Sequence, residues 1–218
     1  MSMKFDHIEK SSDNRTYRFT LSPIHVSYAN VLRRLIMTGV ETIAFRADMT
    51  NMGTTTDVVV KRNDTPMTNE MLADRIGLLP IHVEEPLKWK PDHYQFILNV
   101  SGNKENTRYV KAGDFKVKMR KEASNVPALE ESKEEVKEAE EMVEVDAAAF
   151  FPPHPITGDT CLIASLQPGM GASTQSIEII AKATRGIGRE HARFCPTSQC
   201  SYIYTPDPNP ERIQAMFQ

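Results

Sequence analysis

A chain of 218 residues is long enough for one large domain or two small ones, and its 40% hydrophobic and 25% charged content is that of a folded protein. A net charge of −3 makes no overall electrostatic case for nucleic acid or a membrane surface. Three cysteines without a CxxC pair, no secretory pattern at the N-terminus and no bilayer-length apolar run lead to the expectation of a reducing, intracellular compartment without a membrane.

Residues 3–9 read as a strand and 11–14 as a turn. Residues 16–21 then alternate, with Tyr17, Phe19 and Leu21 on one face, which predicts a hairpin. Pro23 closes it. A helix follows, with Ser27 as its expected N-cap and Gly39 as its stop, and Ile43, Ala44 and Phe45 read as a strand. Tyr28, Ala29, Val31, Leu32, Leu35, Ile36 and Val40 cover roughly 180° of the helical wheel, where a helix lying on its own core needs only about 100°. The surplus predicts a second apolar contact. Asn30, Arg33 and Arg34 occupy the opposite arc, where paired arginines suit an acidic partner or a phosphate, although an arbitrary Arg-Arg pair is more often simply solvated.

Residues 57–61 form a short predicted strand. Thr68 is placed to cap a helix through Ile76, with Met71, Leu72 and Ile76 on its apolar side and Gly77 at the stop. Tyr94, Phe96, Leu98 and Val100 alternate in one strand, and Phe115, Val117 and Met119 in another, with a polar loop over 101–107. Residues 128–146 carry eight Glu, one Asp and two Lys, a local balance of −7 that leaves +4 on the remainder of a −3 chain. The whole stretch 121–146 reads as an acidic, flexible surface insertion. Residues 161–166 form a strand, and Ile177, Ile179, Ala181 and Ala183 alternate against Glu178, Lys182 and Thr184 in another, with Ile180 out of pattern as if covered on both faces. A basic, glycine-bearing loop over 185–196 leads to a predicted hairpin strand at 201–204. Asn209 and Pro210 then open a helix.

Tests for chemistry on the sequence are negative. The Gln167-Pro-Gly-Met-Gly stretch lacks the Gly-Lys-Ser/Thr ending of a phosphate loop, and Gly186-Ile-Gly188 lacks the third glycine and helix of a dinucleotide site. Cys195, Cys200 and His191 offer three zinc ligands at a spacing that fits no knuckle and without a fourth, so buried thiols are the expectation. No nucleophile–base set emerges. The loop bearing Arg185, Arg189, His191 and Arg193 is suited to docking a protein or a phosphate, with a solvated loop as the plain alternative.

Three motifs, in order, resemble the alpha-like assembly subunit of cellular RNA polymerases. They are Ala29-Asn-Val-Leu-Arg-Arg34 with Val40-Glu-Thr-Ile-Ala-Phe45, Asn69-Glu-Met-Leu-Ala-Asp-Arg-Ile-Gly-Leu-Leu-Pro-Ile81, and Lys182-Ala-Thr-Arg-Gly-Ile-Gly-Arg-Glu-His-Ala-Arg-Phe-Cys-Pro196. The second and third look like the archaeal and eukaryotic branch, and 107–114 is a weaker fourth match. The resemblance implies an α+β fold. A discontinuous dimerisation domain would comprise 1–46 and 172–218, with an inserted, mainly-β domain over 47–171. It further implies a non-catalytic scaffold within a nucleotidyltransferase complex. Tyr28, Val31, Leu32, Leu35 and Ile36 would meet a smaller alpha-like subunit. Asn30, Arg33, Arg34, Arg185, Arg189, His191 and Arg193 would face the second-largest subunit, and DNA would be met only through the complex. Relatives with a four-cysteine zinc loop carry it where this chain has residues 82–93, a span without cysteine, so no metal or other cofactor is expected. The location implied is the nucleus for a cellular eukaryotic protein, and the cytoplasm or virion for a viral one. The alternative is a stand-alone nucleic-acid-binding protein that uses the loop from Arg185 to Arg193.

Overall fold

The computed structural model describes residues 3–12, 15–48, 57–120, 142–169, 174–205, 209 and 214–215. Two compact units emerge, Met1–Val40 with Pro196–Gln218, and Glu41–Cys195.

The first unit opens with the expected hairpin. Strands β1 (Lys4–Lys10) and β2 (Tyr17–Ser22) pair antiparallel, with Phe5 opposite Leu21 and Lys10 opposite Tyr17. The register shifts between Asp6 and Glu9, where His7 takes φ 51°, so a bulge interrupts the ladder. Helix α1 (Val26–Thr38) follows. Its cap is His25, not Ser27. The His25 backbone is extended, and its Nδ1 accepts the Ser27 N–H at 3.2 Å, a role that a carboxamide or hydroxyl more often fills. Gly39 caps the other end by donating its N–H to the Leu35 carbonyl at 2.8 Å. Residues 201–204 form no strand and pair with none of the described strands, so the hairpin expected there is not formed among the described residues. Of the helix expected from Asn209, residues 214–215 are helical, and 210–213 and 216–218 lie outside the described residues.

The second unit holds the main sheet. Strands β3 (Glu41–Ala44) and β4 (Val58–Asn63) precede helix α2 (Asn69–Gly77). Thr68 caps α2 as expected, its Oγ1 accepting the Met71 N–H at 3.3 Å. Leu72, Ala73 and Ile76 are buried, whereas Met71, one wheel step from Leu72, is exposed. Next come β5 (Tyr94–Ser101), β6 (Arg108–Lys111), β7 (Lys116–Arg120), β8 (Met142–Val145), β9 (Leu162–Leu166), β10 (Ser176–Ala181) and β11 (Thr184–Ile187). Five of them form an antiparallel sheet in the order β4-β10-β5-β7-β8, while β6 pairs with β9 and β11 with β3.

Two sequence expectations change here. Residues 142–145, assigned to the acidic insertion, pair with β7, because Val143 and Val145 alternate onto the buried side opposite Met119 and Val117. Residues 121–141 of that stretch lie outside the described residues. Residues 185–187, taken as the start of a loop, belong to β11, the partner strand of β3, with Arg185 opposite Ile43. On β10, Ile177, Ile179 and Ala181 are buried and Ile180 is half-buried on the opposite face.

The core gathers aliphatic residues of the sheet around Phe45, Phe96, Phe115, Phe150 and Phe151. The Phe45 and Phe96 rings meet edge-on at 5.0 Å, the arrangement that places a positive ring edge on a negative face. Among the described residues the architecture is mostly sheet with the helices α1 and α2, which is mixed and fits α+β.

Candidate functional site

The residues singled out from the sequence fall on two surfaces, one in each unit. On α1, no residue of the helix is buried. Tyr28 is 69% exposed, Val31 53% and Leu35 49%, with Leu32 and Ile36 half-buried beside them. Left in water, such side chains forgo about 1.5–3 kcal/mol each relative to full burial. On the polar arc, Arg33 donates Nε–H to Asn30 Oδ1 at 3.1 Å and lies along the helix towards Met37 Sδ at 3.7 Å. Arg34 is exposed.

The second surface is the segment after β11. The basic loop read from the sequence is tied into its own unit. Arg185 bridges Glu41 at 3.0 Å and donates to the Leu87 carbonyl at 3.0 Å. Arg193, its side chain only 4% exposed, donates to the Phe45 carbonyl at 3.1 Å and bridges Asp48 at 3.2 Å. His191 Nδ1 accepts from the Arg193 backbone N–H at 3.2 Å and from its Nε–H at 2.9 Å, so that nitrogen carries no proton in this arrangement. Arg189 is exposed and has no polar partner among the described residues.

Arg46, which the sequence reading passed over, is the organiser of the loop. Its guanidinium engages both carboxylate oxygens of Glu190, donates to Thr184 Oγ1 at 3.0 Å and to the Arg185 carbonyl at 3.1 Å, and sits 4.9 Å from the Phe194 ring centre. The Arg46 hydrogen bond holds the Glu190 carboxyl below its ordinary pKa. Gly186 allows this packing, because a Cβ there would stand 2.8 Å from the Phe194 ring. No local pattern announces Arg46, since Thr184 and Glu190, which its guanidinium engages, lie 138 and 144 positions away.

The span 82–93 is also fastened to the strand region. Trp89 stacks on Tyr94 at 4.3 Å and donates Nε1–H to the Ala183 carbonyl at 2.7 Å, while Lys182 meets Asp92 at 3.1 Å. Among the described residues, no three of His, Cys, Asp and Glu cluster closely enough to hold a metal ion. Cys161 is exposed, and Cys195 and Cys200 are half-buried, so the expectation of buried thiols fails.

The two surfaces are thus an exposed apolar helix face and a basic segment braced by its own unit, and exposed apolar patches are features that interaction sites share. Comparison with known proteins leads in the same direction. No family model matches. The chain is similar to the DNA-directed RNA polymerases I and III subunit RPAC1 of Homo sapiens, with 27% identity over 206 residues, 89% of this chain and 53% of the relative. The Saccharomyces cerevisiae subunit of the same name is 28% identical over 208 residues, 91% of this chain and 56% of that protein. The DNA-directed RNA polymerase subunit Rpo3 of Methanosphaera stadtmanae is 26% identical over 199 residues, 91% of this chain and 60% of the relative. The chain thus spans about half the length of the curated relatives it matches. The resemblance to an alpha-like RNA polymerase subunit, of the archaeal and eukaryotic branch, is borne out.

Proposed function

We propose that this chain is a subunit of a multisubunit DNA-directed RNA polymerase and serves it as an assembly scaffold. The observation that carries the reading is α1, a thirteen-residue helix with no buried residue and an apolar arc that includes Tyr28, Val31 and Leu35. Relatives named as subunits of DNA-directed RNA polymerases support the choice of assembly. In this reading Tyr28, Val31, Leu32, Leu35 and Ile36 pack against a smaller alpha-like subunit. Asn30, Arg33 and Arg34, with the Arg185–Arg193 segment, face the second-largest subunit. The dimerisation domain would combine both ends of the chain, with boundaries near 46 and 172, and the middle would be inserted.

The chain contributes no catalytic residue and no metal in this reading, and it works inside the cell wherever its polymerase works. The internal engagement of Arg185 and Arg193 supports a shaped protein-docking loop over the alternative of a stand-alone nucleic-acid binder. Free phosphate binding would call for cations not already spent on carboxylates.

The test is native isolation through a tag on this chain, with mass spectrometry of what accompanies it. Large polymerase subunits and a smaller alpha-like protein are expected, and their absence refutes the scaffold reading. Leu32→Asp with Leu35→Asp is expected to abolish pairing with the smaller subunit, since burying an unpaired carboxylate costs more than the roughly 2–7 kcal/mol of a neutral polar group. A variant that still pairs removes α1 from the interface.

A further inference from the structure

The outer face of the five-stranded sheet has a composition that an idle surface does not need. In an antiparallel sheet, one face packs on the core and the other meets water, and the wet face normally reads polar. The registers place Val59, Ile180 and Ile97 directly opposite one another on β4, β10 and β5, all on the face away from the buried Ile179 and Phe96. Val59 is 53% exposed, and the two isoleucines are half-buried. Directly opposite residues on one face lie about 5 Å apart at Cβ, so the three form a continuous aliphatic row.

The row runs into a basic column. Lys116 stands opposite Ile97 and Lys118 opposite Gln95. Both lysines are exposed, and neither has an ion-pair partner among the described residues, although Glu144 is the cross-strand neighbour of Lys118. On the same face Lys61 of β4 is paired to Glu178 of β10 at 3.7 Å, so the unpaired positive charge is confined to the β7 side of the row, and off the sheet Lys182 meets Asp92.

We infer that this face is a docking surface for an acidic segment of another polypeptide, one that lays aliphatic side chains on the Val59–Ile180–Ile97 row and carboxylates on Lys116 and Lys118. Charge complementarity selects the acidic partner. The aliphatic character of the row selects a protein over a nucleic acid, whose bases would need aromatic rings to stack on. A contiguous apolar patch rimmed by charge is the pattern of an interaction site. The inference goes beyond the pairing proposed for α1, because the surface lies wholly in the second unit and its variants leave α1 unchanged.

The experiment uses the tagged complex as isolated. Carbodiimide, which couples lysine amines to carboxylates in direct contact, is expected to join Lys116 or Lys118 to an Asp or Glu of a different polypeptide. In the complex, both lysines are expected to resist acetylation about tenfold or more relative to the isolated chain. Lys116→Glu with Lys118→Glu, and separately the exposed Val59→Lys, are each expected to reduce retention of the coupled polypeptide by about tenfold. Three results overturn the inference. Coupling confined to the glutamates of 121–141 makes the chain's own acidic stretch the occupant. Equal acetylation in both states makes the face a solvated one. Protection that nuclease treatment removes assigns it to a nucleic acid. Retention of the smaller subunit in the same preparations reads α1 independently, so failure of one proposal is distinguishable from failure of the other.

Discussion

Gly186→Ala is the sharpest test of how the basic loop is built. Its added methyl stands 2.8 Å from three carbons of the Phe194 ring, closer than real Cβ contacts come. The ring has little room to yield. It is 1% exposed, its residue accepts Thr42 Oγ1–H on the backbone carbonyl at 2.7 Å, and the Arg46 guanidinium covers it at 4.9 Å. Overpacking of this kind costs about 1–3 kcal/mol, against about 0.4–1 kcal/mol gained because alanine restricts the unfolded chain. The clash therefore decides the sign, and a net loss of about 1–2 kcal/mol is expected. In urea, with a slope of about 2 kcal/mol/M, the unfolding midpoint followed by far-ultraviolet circular dichroism falls by about 0.5–1 M. Adding Phe194→Leu should relieve the contact, so the double variant is expected to deviate from additivity by more than about 0.5 kcal/mol. An unchanged or raised midpoint for Gly186→Ala, or strict additivity, refutes the packing described here.

Arg193→Ala is expected to destabilise the chain by about 1.5–3 kcal/mol through its charged hydrogen bonds, whereas Arg189→Ala should stay within about 0.5 kcal/mol; equal losses on denaturation would contradict the contrast. The Glu190 carboxyl has a lowered pKa in the folded chain, so the stability it contributes is present above the ordinary glutamate value of about 4.3 and is lost as pH falls through the lowered one. Glu190→Gln should accordingly flatten the acid limb of stability against pH, and an unaltered limb counts against the Arg46 pair. His25→Asn should keep the cap of α1 and His25→Ala lose about 0.5–1 kcal/mol of helix stability, read as helix signal on heating.

Much of the fold is written in periodicity. The alternations around Phe96, Val117 and Ile179 gave strands because a two-residue repeat leaves only one face to bury, and Thr68 is a strong enough cap to mark α2 by itself. Four-residue strands are less legible. Arg108–Lys111 and Thr184–Ile187 carry too few alternations to separate from loop, and they are strands because Leu162–Leu166 and Glu41–Ala44 lie beside them. The uncovered face of α1 was visible as an apolar arc wider than one contact requires. The state of the arginines was not. Glu41 and Asp48, which hold Arg185 and Arg193, lie more than a hundred residues earlier in the chain, beyond the reach of any local pattern.

The clasp over residues 82–93 has an optical consequence. Trp89 is the chain's one tryptophan, and it stacks on Tyr94 while its indole N–H is bound to Ala183. Intrinsic emission excited at the indole band therefore comes from the second unit alone. Release of the clasp exposes the indole to water and shifts that emission towards the red. The chain carries a fluorophore that separates the behaviour of one unit from the other without any label.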